Sequence, residues 1–253
     1  MTTLDGAVAL VTGASSGIGA ATALGLAQNG ASIALIGRRR DRLDGVANDI
    51  TELGAKVLVL EGDLTDPKGA EDMVQETIDR LGRLDVLVNN AGIMLLGTAL
   101  HTTTEDWDRM VALNVSAMLH ITHAAVPYLI DAAATSPRGV SDIVNVSSTA
   151  GRVARPSSSV YTLTKFGVNG FTESLRQELL SERVRVSVVA PGTVDTELVD
   201  HLRDSIRDAA RRQVDSIEPL RPADIADAIG YIVTRDRRVA VNEMLIRAGE
   251  QTW

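Results

Sequence analysis

Residues 7–11, AVALV, run directly into TGASSGIG and then into AATALGLAQNG, which closes on Asn29 and Gly30. Five apolar residues without polar alternation predict a strand buried on both faces of a parallel sheet. The stretch after the glycines has helical character and ends on helix-stop residues. Strand, glycine loop and helix therefore follow one another without a break. Within this segment Thr12, Gly13, Gly17 and Gly19 form T-G-x-x-x-G-x-G. Glycine lets the backbone turn sharply and approach a ligand, and the unpaired N–H groups and positive dipole of a helix start attract phosphate. A glycine turn alone also serves plain steric needs; the strand before it and the helix after it make it a dinucleotide-loop pattern. Ser15, Ser16 and Ile18, inside the loop, are expected to contact the ligand together with the glycines.

Further apolar runs recur at 31–37 (ASIALIG), 56–60 (KVLVL), 85–88 (DVLV), 143–146 (IVNV), 184–189 (VRVSVV) and 243–246 (EMLI). Helical stretches separate them, which predicts an α/β fold around a parallel sheet. No linker, repeat or low-complexity tract interrupts 1–253, so one domain is expected, long enough to bury a sizeable core. Aromatic residues are only 3% of the chain, which makes that core aliphatic. The net charge of -8 argues against a general nucleic-acid binder, which carries a basic footprint. There is no cysteine, hence no disulfide, thiol nucleophile or cysteine metal site, and this suits the cytoplasm. His120 and His123 stand three apart on an expected helix, but no further ligand stands at metal spacing beside them, so no metal is expected. No apolar run approaches the roughly 18 residues of a membrane span, and the N-terminus lacks a signal-peptide pattern. A cytoplasmic protein without a membrane partner is the expectation.

Several strand ends carry polar residues that a dinucleotide would meet. After 31–37, where the adenosine ribose sits in such folds, the chain reads Arg38, Arg39, Arg40 rather than an acid. A guanidinium there pairs with the extra 2'-phosphate of NADP; alternatively the arginines form a solvated basic turn. After 56–60 come Asp63 and Leu64, where an adenine ring would lie, with Asp63 serving either the adenine amino group or turn chemistry. After 85–88 come Asn90, Ala91 and Gly92, part ligand contact and part sheet support. A long helix capped by Thr104 and Glu105 contains Asn114, costly on an apolar face unless satisfied. It either bonds a neighbouring strand or holds a water.

Tyr161 and Lys165 lie four apart at the start of a helical run and so share one face. Ser148 lies thirteen residues before Tyr161, just past the strand at 143–146. A free phenol titrates near pH 10, and an adjacent ammonium favours its phenolate. The serine hydroxyl would hold the oxygen that changes charge as a carbonyl becomes an alcohol. Taken alone, the Y-x-x-x-K spacing also describes an ordinary helix start. Pro191 and Gly192 end the sixth strand, and the charged helical segment at about 193–217 either covers a pocket or is a plain surface helix.

TGASSGIG, NNAG, Asn114, Ser148, YTLTK and the PGT after the sixth strand stand in the order and spacing of the short-chain dehydrogenase/reductase family, and the resemblance covers nearly the whole chain. It implies a single doubly wound Rossmann domain with seven parallel strands in the order 3-2-1-4-5-6-7. It implies Tyr161 as acid/base, Lys165 as nicotinamide-ribose contact and tuner of Tyr161, Ser148 as carbonyl support and Asn114 as anchor of a relay water. It further implies cofactor contacts from Pro191, Gly192, Thr193, Val194 and Thr196, NADP(H) as cofactor, a small carbonyl or alcohol substrate, and a homodimer or homotetramer built through helices at 104–133 and 158–182. NNAGIMLLG, RQEL and APGTVDTEL are similar to a bacterial subgroup that includes clavulanate dehydrogenase. Met94, Leu95, Val153, Arg155 and Leu198, with Val194, are the candidate substrate pocket.

Overall fold

The computed structural model of the protein describes residues 3–252, so residues 1, 2 and 253 of the expected domain lie outside the described residues. The strands are β1 (Val8–Thr12), β2 (Ser32–Gly37), β3 (Val57–Glu61), β4 (Val86–Asn89), β5 (Ser141–Val146), β6 (Val184–Pro191) and β7 (Glu243–Ile246). They form one parallel sheet in the order β3-β2-β1-β4-β5-β6-β7, as the resemblance implied. Every residue of β1, β4, β5 and β6 is buried, as expected of central strands with helices on both faces.

Alternate strand residues feed two cores. Ala9, Val11, Ile33 and Leu35 pack with Leu26 of α1 (Gly17–Gln28), Leu43 and Ile50 of α2 (Arg40–Glu52) and Ile225 and Ile229 of α8 (Pro222–Val233). Leu10, Ala34 and Ile36 face the other way, onto Val74 of α3 (Pro67–Leu81) and Ile121 and Leu129 of α5 (Met118–Thr135). Local chemistry sets the helix ends. Pro67 opens α3 behind Asp66, whose carboxylate accepts the Lys68 N–H, and Gly82 closes it at φ 86.

The helix expected from Thr104 differs in three respects. Its cap is Thr103, whose hydroxyl accepts from the Asp106 N–H at 3.2 Å. It is also not uniform: α4 (Thr104–Val111) passes through a π-helical turn, Ala112–Ala117, into α5. Finally, Thr104–Thr135 is long enough, and over an 18-residue window with a mean hydropathy of 1.3 apolar enough, to cross a bilayer, contrary to the expectation that no run is. Met118, Ile121, Ala125 and Leu129 are buried within the protein, so a core-packing face accounts for part of that apolarity. The helix expected to reach about 182 is α6 (Ser159–Glu178), ended by buried Leu179. After β6, a short 3-10 turn, Glu197–His201, leads into α7 (Asp204–Asp215).

Candidate active site

The glycine loop is stapled to the end of β4. The Thr12 hydroxyl accepts from the N–H groups of Asn90 and Ala91, each at 3.0 Å, and the Asn90 amide donates to the carbonyls of Thr12 at 3.0 Å and Gly13 at 3.3 Å. Gly13 sits at φ +66, where a Cβ would lie 2.9 Å from the Ala91 Cα. The NNAG residues therefore shape the loop as well as lining the cavity beside it. Gly19, expected among the cofactor contacts, is not on the cavity wall. It is buried, and a Cβ there would lie 2.3 Å from the Gly13 carbonyl oxygen, so its work is helix-to-strand packing.

A cavity of about 790 Å3 runs along the carboxyl edge of the sheet. One end is walled by Ser15, Ser16, Arg38, Arg39, Asp63 and Leu64; the other reaches Ser148, Tyr161 and Lys165. Gly17, Ile18, Ala91, Gly92 and the run Pro191, Gly192, Thr193, Val194 and Thr196 line it between and across. Asp63 is also engaged in turn chemistry, accepting from the Thr65 N–H at 3.0 Å and hydroxyl at 2.9 Å. The Thr65 backbone bond, aided by the Arg38 charge, keeps its carboxyl below the ordinary range.

At the far end, α6 and the end of β5 bring the three expected side chains together. The Tyr161 phenol stands beside the Ser148 side chain, whose oxygen accepts the Ala150 N–H at 3.1 Å. Lys165 Nζ donates to the Val146 carbonyl at 2.9 Å and stands 5.8 Å from the centre of the Tyr161 ring. Tyr161 and Lys165 are both buried. Ser147 also borders the cavity, but its hydroxyl is engaged, donating to the Lys165 carbonyl at 3.3 Å. The expected lowering of the phenol by the ammonium is not what results. Burial raises the Tyr161 pKa, with Ser148 partly opposing, and burial pushes Lys165 down to about 8. The ammonium is held against a backbone carbonyl near the ring rather than against the phenol oxygen.

Asn114 sits in the π-helical turn, and its amide clasps Ile93, accepting the N–H at 2.8 Å and donating to the carbonyl at 2.8 Å. A longer bond at 3.3 Å goes to the Thr164 hydroxyl. Of the two roles open to this side chain, it takes the bond to the segment after β4. Met94, Val153, Arg155 and Leu198 line the cavity as expected, but Leu95 does not. Its N–H points at the Met110 sulfur at 3.4 Å and its side chain joins a small cluster with Ile93 and Trp107, while Leu96 takes the cavity wall. Loop residues after a strand keep no period, so sequence could not separate the two leucines.

Other wall residues were missed. Val199 and Val214 come from the covering segment, where their helical spacing is a signal. Arg247 and Gln251 come from the chain end, where there is none; the Gln251 side-chain oxygen accepts the Thr193 N–H at 2.7 Å. Among the described residues no group of histidine and acidic side chains is arranged to hold a metal.

The family model described as short chain dehydrogenase matches residues 7–207, and the chain belongs to that family. It is an oxidoreductase of this class, and the class uses a nicotinamide dinucleotide. It is 33% identical over 249 residues to an uncharacterized oxidoreductase of Staphylococcus saprophyticus, covering 97% of both chains. It is 36% identical over 248 residues, 98% of its own length, to glycine betaine reductase ATRR of Emericella nidulans, but spans only 19% of that protein. Among solved structures, a short-chain type dehydrogenase/reductase from Mycobacterium marinum superposes with a TM-score of 0.87 at 28% identity, covering 98% of this chain and 97% of that one. A metagenomic short-chain oxidoreductase in complex with NADP gives 0.82 at 32%, covering 98% and 100%. A 3-ketoacyl-(acyl-carrier-protein) reductase from Brucella melitensis complexed with NADH gives 0.84 at 27%, covering 96% and 97%.

Proposed function

We propose that the protein is an NADPH-dependent reductase that converts a small aldehyde or ketone to an alcohol, with Tyr161 as the general acid. The observation that carries this is the buried phenol of Tyr161, set beside Ser148 at the end of a cavity that starts among arginines. The wall fits a dinucleotide: it is continuous from Arg38 to Lys165, and Gly13 and Gly17 leave the loop that lines it without side chains. A bound nicotinamide supplies the hydride. Every other step belongs to the chain. Ser148 holds the substrate oxygen, Tyr161 gives it a proton, and Lys165, charged below about pH 8, steadies the nicotinamide ribose. A phenol whose pKa is raised stays protonated at neutral pH, which suits proton donation and hence reduction. Asn114, its side-chain amide committed to Ile93, anchors through its main-chain carbonyl the water that returns a proton.

Arg38 supports NADPH over NADH. It lines the ribose end with no ion pair or hydrogen bond to another described residue. NNAGIMLLG, RQEL and APGTVDTEL support an aldehyde of the kind reduced by the subgroup that includes clavulanate dehydrogenase, in secondary metabolism. Met94, Val153, Arg155 and Leu198 would meet the substrate, and the segment at 193–217 would cover it. Exposed Val111 and Leu119 on the long helix, with Leu163 and Phe166 on α6, support a dimer or tetramer through these two faces. Turnover of NADPH against a panel of aldehydes and ketones, by wild-type and Tyr161→Phe protein, tests the reading; turnover that survives the substitution contradicts it.

A further inference from the structure

The ribose end of the cavity contains a charge that the strand-end arginines alone do not announce. Arg39 spreads its guanidinium over the glycine loop, with Nε and Nη2 on the Ser15 hydroxyl at 3.2 and 3.0 Å and Nη2 on the Ser16 hydroxyl at 2.7 Å. Its remaining nitrogen, Nη1, donates to Glu197 Oε2 at 2.7 Å. The other Glu197 oxygen accepts from Arg42, one turn further along α2. Both oxygens of one carboxylate are thus held by two guanidinium groups, and these hydrogen bonds keep that carboxyl ionised down to about pH 2.

Glu197 does not belong to the dinucleotide half of the fold. It begins the 3-10 turn that leads into the covering segment, and a Cβ on Gly17 would lie 3.2 Å from the methyl of its neighbour Thr196. The start of α7, just beyond this turn, is tied down separately, by Arg203 to the His101 carbonyl and to Asp106. An anion on paired arginines beside loop hydroxyls is the arrangement that recognises a phosphate monoester.

We propose that Glu197 is a cofactor-selectivity residue delivered by the covering segment: its carboxylate stands on Arg39 and Arg42 where a 2'-phosphate would compete for them. NADPH, which carries that phosphate, has to displace the carboxylate and so releases the near end of the covering turn from α2. NADH carries a neutral hydroxyl there and leaves the Glu197 contacts in place. The arginines after β2 therefore favour NADPH by less than their charge alone would give, because part of it is already neutralised. This rests on the dinucleotide reading above.

The test is the affinity of both dinucleotides for wild-type and Glu197→Gln protein by calorimetry, with hydrogen exchange of residues 197–202 in each complex. Removing the competing charge should tighten NADPH about tenfold and change NADH less than about twofold. Exchange over 197–202 should be faster in the wild-type NADPH complex than in the NADH complex. Equal shifts for the two cofactors, no shift for either, or the same exchange in both complexes would overturn the proposal. If wild-type protein binds neither dinucleotide, the functional reading itself fails, a result separate from these.

Discussion

Tyr161 and Lys165 share one face of α6, and burial moves both away from their charged forms. The phenol is raised and the ammonium is lowered from its ordinary value of 10.5 to about 8. A lowered amine binds its proton more weakly in the folded chain than in the unfolded one. Between about pH 8 and 10.5 the unfolded chain therefore holds more protons at this site, and stability rises with pH there. Tyr161 acts oppositely: its raised pKa contributes stability that is lost as pH climbs above 10. Urea unfolding between pH 8 and 10 should show wild-type protein gaining about 2 kcal/mol relative to Lys165→Met; parallel curves for the two proteins would contradict the buried-ammonium account. Residue identity and spacing made this cluster legible, since Tyr161, Lys165 and Ser148 were located from the pattern alone. Their electrostatics were not legible, because whether an ammonium faces a phenol oxygen or a backbone carbonyl depends on how β5 and α6 dock.

The element that differs most from the rest is the covering segment. Its 3-10 turn and α7 pack on a small cluster of Val199, Leu202 and Val214, with Ile206, Ala210 and, from the loop after β4, Met94 and Leu96, separate from the two cores that flank the sheet. A segment held by such a small satellite cluster opens at lower free energy than the sheet does. Truncating Leu202, 1% exposed, removes the centre of that cluster. Leu202→Ala should cost about 2–4 kcal/mol locally. Limited proteolysis should then cut within 197–215 faster, while the main unfolding transition moves little; unchanged cleavage would show that the segment is held by its ion pairs instead. The helical spacing of Val199, Leu202, Ile206, Ala210 and Val214 was visible in the sequence. Its attachment was not: Glu197 meets Arg39 across 158 positions, and Arg203 meets Asp106 across 97. Charges on an amphipathic helix choose partners only once the loops have been folded over one another.

For the whole molecule, the sheet follows from elementary patterning. β1 reads as an unbroken apolar run and β4, β5 and β6 as apolar runs interrupted by polar residues, and the TGASSGIG and PGT turns punctuate the carboxyl ends of β1 and β6, so the active edge of the sheet was legible before any coordinate. What aliphatic patterning does not distinguish is an apolar face turned to the core from one turned to a second copy. On α6, Thr162, Lys165 and Val168 are buried, while Leu163 and Phe166 remain 64% and 46% exposed. Light scattering should find a dimer or larger assembly for wild-type protein and a monomer for Phe166→Glu; a monomeric wild type would remove that interface. Single-turnover oxidation of NADPH with an aldehyde that wild-type protein reduces, followed in Tyr161→Phe, reads out the proton that Tyr161 gives the substrate. The hydride step should slow by roughly a hundredfold to ten-thousandfold while NADPH affinity stays within a factor of about two; a rate within a few-fold of wild type would contradict Tyr161 as the acid.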